Sequence, residues 1–176
     1  WEIYKNRFTF QTDGQLIHTS SNAIMPDGVE SSSTISDADG NLLFFSDGLS
    51  VWDRNENLML NGTGLLGHYS STQGSIIVPH PGNPHQYFVF TSDAFENDFT
   101  VGLHYSIVDM QLNGGLGDVT ETKNVLLLTG TNEKLSATWH ANGHDIWIGT
   151  GAGHSNTWYA FLIDDAGVHA TPVVSN

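Results

Sequence analysis

A short apolar strand, a polar turn built on glycine and a second apolar or aromatic strand recur three times in this chain, at residues 33–45, 75–90 and 136–148. The turns read Asp37-Ala38-Asp39-Gly40-Asn41, His80-Pro81-Gly82-Asn83 and His140-Ala141-Asn142-Gly143-His144. Recurrence at a few tens of residues sets architecture before any single side chain does, and a strand-rich unit repeated in this way predicts a radial or stacked β array. Each unit continues past its hairpin. Residues 49–55 follow Asp47-Gly48, residues 103–110 and 124–128 follow the second hairpin, and residues 158–164 and 171–175 follow the third. Asp-Gly and Asn-Gly pairs tolerate the positive φ of tight hairpin turns. Four antiparallel strands per unit are the content of one propeller blade.

The expectation is therefore an all-β chain of β-propeller blades of four antiparallel strands, forming an incomplete propeller of about three blades plus an N-terminal partial sheet. The blades fall at 32–70, 74–129 and 134–176, and the partial sheet at 1–31. The glycines at 40, 82 and 143 occupy equivalent turns, and loops around 95–102 and 113–123 account for the wider second spacing. In the first segment, residues 1–10 read as one strand, with Phe8 and Phe10 alternating about Thr9 as in a half-buried strand. A turn at Asp13-Gly14, a second strand at 15–19 and a loop through Met25-Pro26-Asp27-Gly28 complete it, and residues 61–73 read as a glycine-rich loop. Helical periodicity is weak throughout.

Composition narrows the function classes. Five basic residues against 19 acidic ones give a formal charge of −14, and no Lys/Arg cluster is present to displace counterions from a nucleic acid. Cysteine is absent, which removes disulfides, thiolate zinc sites and thiol nucleophiles. No apolar run approaches the ~20 residues of a membrane helix. The chain opens at Trp1 within strand-like sequence, so it is expected to be the mature or excised part of a longer precursor.

Several segments resemble the β-propeller region near the N-terminus of large secreted Bacteroidetes proteins of the gliding-motility-associated, type IX secretion cargo kind. They include Ile35-Ser36-Asp37-Ala38-Asp39-Gly40-Asn41-Leu42, Val51-Trp52-Asp53-Arg54-Asn55, Asn61-Gly62-Thr63-Gly64-Leu65-Leu66-Gly67, Ile76-Ile77-Val78-Pro79 and Gly114-Gly115-Leu116-Gly117-Asp118-Val119. The resemblance implies secretion to the cell surface, further blades of the same precursor as partners, and adhesion through a surface glycan or protein.

Candidate chemistry is sparse. Asp37 to Asn41 places oxygen ligands together, but glycine stands fourth and Gly48 twelfth where a calcium loop needs glycine sixth and glutamate twelfth; a plain hairpin turn is the reading. The pairs His80/His85 and His140/His144 straddle turns and lack a zinc-protease glutamate, so no metal and no cofactor is assigned. No Gly-x-Ser-x-Gly elbow occurs, and a catalytic residue is not assigned. Among aromatics able to stack on sugars, Trp52 and Trp147 are read as packing between sheets, and Trp139 remains in the set. Trp158, next to a loop containing His154 and followed by Tyr159, is the surface ligand-binding candidate. Three functions stay open: a non-enzymatic adhesion or interaction module, a carbohydrate-active enzyme with a pocket on the propeller axis, and a structural block assembling through blade edges.

Overall fold

A computed structural model describes residues 2–3, 6–23 and 29–176, with side chains described from Asn6 onward. The chain is all-β, and the described residues form four antiparallel sheets. The first, sheet A, contains β1 (Glu2–Ile3), β2 (Asn6–Phe10) and β3 (Leu16–Ser20) in that order. The stretch read as one strand over residues 1–10 is thus two, because Glu2 pairs back on Arg7 and Ile3 on Asn6. Phe10 is 69% exposed, so the alternation about Thr9 does not bury that end of the strand. The loop read at residues 25–28 lies outside the described residues.

Sheet B is a four-stranded meander of β4 (Ser33–Ser36), β5 (Leu42–Ser46), β6 (Ser50–Asp53) and β7 (Leu58–Thr63). Strand β7 runs into the segment read as a glycine-rich loop. Gly62 permits this: a Cβ there would lie 2.6 Å from the Val51 carbonyl oxygen, at a place where the β6–β7 register shifts. Glycine inside a strand here marks close backbone approach, not a loop.

Sheet C contains β8 (Ser75–His80), β9 (Asn83–Thr91) and β10 (Leu103–Asp109), followed by two short strands, β11 (Asp118–Val119) and β12 (Val125–Leu128), both paired to β10. Sheet D repeats this plan with β13 (Thr131–Trp139), β14 (Ile146–Ala152), β15 (Trp158–Asp164), β16 (Gly167–Val168) and β17 (Val173–Ser175). Both final short strands pair with β15. Strand β13 starts earlier than the sequence reading placed it, because Thr131 pairs with Ala152 before a register shift leads to the Leu135–Thr150 pair.

Strand alternation gives every sheet two faces, and consecutive sheets pack face to face. Phe44, Val51 and Met59 of sheet B meet Ile77, Val89 and Val108 of sheet C. The opposite face of sheet C, through Val78, Phe88 and Phe90, meets Ile146, Ile148, Phe161 and Ile163 of sheet D. Behind sheet B, Phe45 and Trp52 pack on Ala23, and Arg7 of sheet A forms an ion pair with Glu56 at 2.9 Å. The sheets follow one another in chain order, with the first strands β4, β8 and β13 neighbouring one another and β7 neighbouring β11.

Candidate functional site

The glycine turns hold the hairpins in two different ways. Gly40 and Gly143 have φ of 84° and 72°, the left-handed conformation for which glycine is best suited. In the first, Asp37 accepts backbone N–H bonds from Asp39 and Asn41 and a side-chain bond from Asn41 Nδ2 at 3.0 Å. The Asn41 side chain, with its backbone N–H, holds the Asp37 carboxyl below the usual range. All these bonds are internal to the turn, which is a hairpin. Gly82 has no positive φ; there a Cβ would sit 2.5 Å from the carbonyl oxygen of Asp165 in the β15–β16 turn.

That contact brings histidines and aspartates of sheets C and D to one end of the stack. His144 Nε2 and Asp165 Oδ1 are 2.6 Å apart, as are His169 Nε2 and Asp164 Oδ2. The bond to Asp165 raises the His144 imidazole above its ordinary value. His80 stacks on Phe88 at 4.8 Å, and its partial burial lowers it despite the nearby Asp165 and Asp164. Neither His80/His85 nor His140/His144 joins a metal-ligating group: among the described residues no three His, Asp or Glu side chains are arranged to hold an ion.

The three ligand-binding candidates divide between surfaces. His154 Nε2 lies 2.9 Å from Asp98 Oδ1 and edge-on to Phe99 at 5.3 Å, so its loop docks on the β9–β10 connection. Trp158 and Tyr159 are neighbours on β15 and project to opposite faces. Tyr159 packs against the core between sheets C and D, whereas Trp158 is 50% exposed on the far face of sheet D. Trp52 is buried and stacked on Phe45 at 5.6 Å. Trp147 is half-buried on the far face of sheet D, and Trp139, 61% exposed, is the most exposed of the described tryptophans.

Two concavities lie beside these residues. One, of roughly 330 Å³, is lined by Glu30, Ser31, Thr72, Gln73, Ser75 and Leu135 where the first strands begin. Its serines are tied into the fold, since Ser31 Oγ accepts from the Gly74 N–H at 2.7 Å and Ser75 Oγ meets Ser33 Oγ at 2.8 Å. The neighbouring Glu133 accepts from the Thr72 and Phe95 N–H groups. The other, of roughly 370 Å³, lies on the far face of sheet D between Trp147, Thr138, Ser136, Gly149, Ala160 and Val173.

One recurring pair escaped the sequence reading. Ser46-Asp47 and Ser92-Asp93 end the second strands of sheets B and C, and all four residues are buried. Asp47 Oδ1 accepts from the Leu49 and Ser50 N–H groups at 2.8 and 2.7 Å, and Asp93 accepts from Ala94, Val101 and Asn97. Burial pushes the Asp47 carboxyl up. The signal was the repeated Ser-Asp after a Phe-containing strand, and its role is to close the next loop.

No family model, curated protein or solved structure matches the chain. Among the described residues, no helix is long and apolar enough to cross a membrane.

Proposed function

We propose that the chain is a run of three propeller blades serving as a non-enzymatic interaction module of a secreted bacterial surface protein, with a surface glycan or protein as ligand. The observation that carries the reading is the stacking of three meander sheets in chain order with their first strands side by side. That arrangement is expected of blades around an axis. A stack of this kind is a rigid scaffold on which loops vary. The surface location and bacterial source rest on the sequence resemblance.

The cavity beside the first strands supports binding over hydrolysis: among the described residues its lining holds one carboxylate, Glu30, whereas glycoside hydrolysis ordinarily uses two about 5–10 Å apart. The exposed His154 loop and Trp158 offer a polar and an aromatic surface to a ligand. A glycan array and a pull-down from cell-surface extract, each run with the intact chain and with Trp158→Ala and His154→Ala variants, test the reading. Binding that weakens at least tenfold in a variant is expected. Absence of binding in both assays would sink it.

A further inference from the structure

The chain contains three Asn-Gly pairs, Asn61-Gly62, Asn113-Gly114 and Asn142-Gly143. An asparagine followed by glycine is open to attack on its own side chain, because glycine has no Cβ to keep its backbone nitrogen away from the asparagine Cγ. The fold decides whether that attack happens, through the bonds that hold the side-chain amide and the glycine N–H in place.

Two of the pairs are held. Asn61 stands on β7, where its Nδ2 donates to the Val119 and Thr120 carbonyls at 3.1 Å each and its Oδ1 accepts from Lys123 Nζ at 3.1 Å. Its backbone N–H donates to Asp118 Oδ1 at 2.9 Å, and Gly62 is buried against Val51. Asn142 is exposed but tied into its hairpin turn: Oδ1 accepts from the His144 and Asp145 N–H groups at 3.0 Å each, and Nδ2 donates to Asp145 Oδ2 at 2.7 Å. The Gly143 N–H, the attacking group of that pair, donates to the His140 carbonyl at 2.9 Å.

The third pair is held by neither end. Asn113 and Gly114 are exposed in the single 3-10 turn that joins β10 to β11. No described residue bonds the Asn113 side chain or the Gly114 N–H, and the turn keeps Asn113 only through its carbonyl, which accepts from Leu116 N–H at 3.3 Å. Residues 113, 114 and 115 have φ of 51°, 65° and 87° in succession. The left-handed conformation is unfavourable for a residue with a Cβ, so rearrangement at Asn113 relieves strain. Nothing stands within 4 Å of where a Gly114 Cβ would be, which leaves room for the movement.

We propose that Asn113 is a site of spontaneous deamidation, and that of the three pairs it is the one that converts in the folded chain. The Gly114 nitrogen gives up its proton and bonds to Asn113 Cγ; the Cγ–Nδ2 bond breaks, and the departing nitrogen takes a proton and leaves as ammonia. Water then adds to either carbonyl of the resulting succinimide ring and opens it to aspartate or isoaspartate. Nothing is oxidised or reduced. The product adds a carboxylate to a chain of formal charge −14, and isoaspartate also lengthens the main chain by one carbon. This change falls in the connection leading to β11, whose Asp118 holds the Asn61 N–H across the junction of sheets B and C.

The test is peptide mapping by mass spectrometry of the intact chain aged in warm, mildly alkaline buffer, with a parallel sample aged in guanidinium. In the folded sample Asn113 is expected to convert at least tenfold faster than Asn61 and Asn142, giving two chromatographically separate products, aspartate and isoaspartate. In guanidinium the three rates are expected to fall within a few-fold of one another. An Asn113 that stays intact, or an Asn61 or Asn142 that converts as fast, overturns the proposal. A gap that persists in guanidinium assigns the order to neighbouring residues and overturns the role of the fold, and aspartate as sole product overturns the ring route. None of these outcomes bears on the adhesion reading, which stands or falls on its own assays.

Discussion

Gly82 and Asp165 lie in backbone contact across the interface of sheets C and D: a Cβ on Gly82 would stand 2.5 Å from the Asp165 carbonyl oxygen and 2.8 Å from its Cα. Neither neighbour is a flexible side-chain end, so the two turns would have to separate. Gly82→Ala is expected to cost about 1–3 kcal/mol through overpacking. Gly143→Ala, at φ 72° with open space around it, is expected to cost roughly 1–2 kcal/mol from backbone strain alone. Urea unfolding compares the two, and heteronuclear NMR reads the β15–β16 turn, whose backbone Gly82→Ala should displace directly.

Trp52 and Trp139 are expected to respond oppositely to truncation. Trp52 is 4% exposed and stacked on Phe45, and Trp52→Ala should cost about 3–5 kcal/mol as buried aromatic area is lost. Trp139→Ala, at a 61% exposed position, should stay within about 0.5 kcal/mol of the parent. Equal losses in chemical denaturation would contradict the buried place of Trp52 and the exposed place of Trp139.

Asp47 is buried and closes the β5–β6 turn with two accepted N–H bonds. Asp47→Ala leaves the Leu49 and Ser50 amides without that acceptor, at an expected cost of about 1–3 kcal/mol. Hydrogen exchange at those two amides should accelerate in the variant. Unchanged protection would show that the carboxylate is not their acceptor.

Acid and base should act on different histidines. His104 is 5% exposed, and burial lowers its folded-state value below the ordinary 6.5, outweighing a backbone bond to Gly102 that acts the other way. Its stability contribution is therefore full above pH 6.5 and is lost as pH falls through the folded value. His104→Phe is expected to flatten the acid limb of a plot of melting temperature against pH. His144 has the opposite sign: raised by Asp165, it stabilises below pH 6.5 and loses that contribution as pH rises through its folded value. NMR titration of the two imidazoles reads both directions, and a His144 midpoint below the ordinary value would contradict the His144–Asp165 bond.

Much of the fold was legible in the chain because hairpins leave local marks. Gly40 and Gly143 were found at turns because positive φ selects glycine there. The first three strands of sheets B, C and D followed from the spacing of such turns, whereas β7 was read as loop, β11 and β16 were not read, and sheets C and D hold five strands where four were expected. Gly62 was misread as loop, and Gly82, rightly placed in a hairpin turn, carries a second constraint, because each meets a distant backbone, Val51 in one case and Asp165 in the other, that no local pattern reports. The site candidates suffered from the same cause. Trp158 and Tyr159 are adjacent in sequence and occupy opposite faces, while His154 finds its partner in Asp98, which only the packing of sheet D on sheet C brings near.

The core shared by sheets B and C and the core shared by sheets C and D have no residue in common. Each sheet therefore answers only to its immediate neighbours, and a whole unit can be duplicated, deleted or exchanged by recombination wherever the faces on either side still match. Selection on such a chain acts on junctions and loops more than on its length.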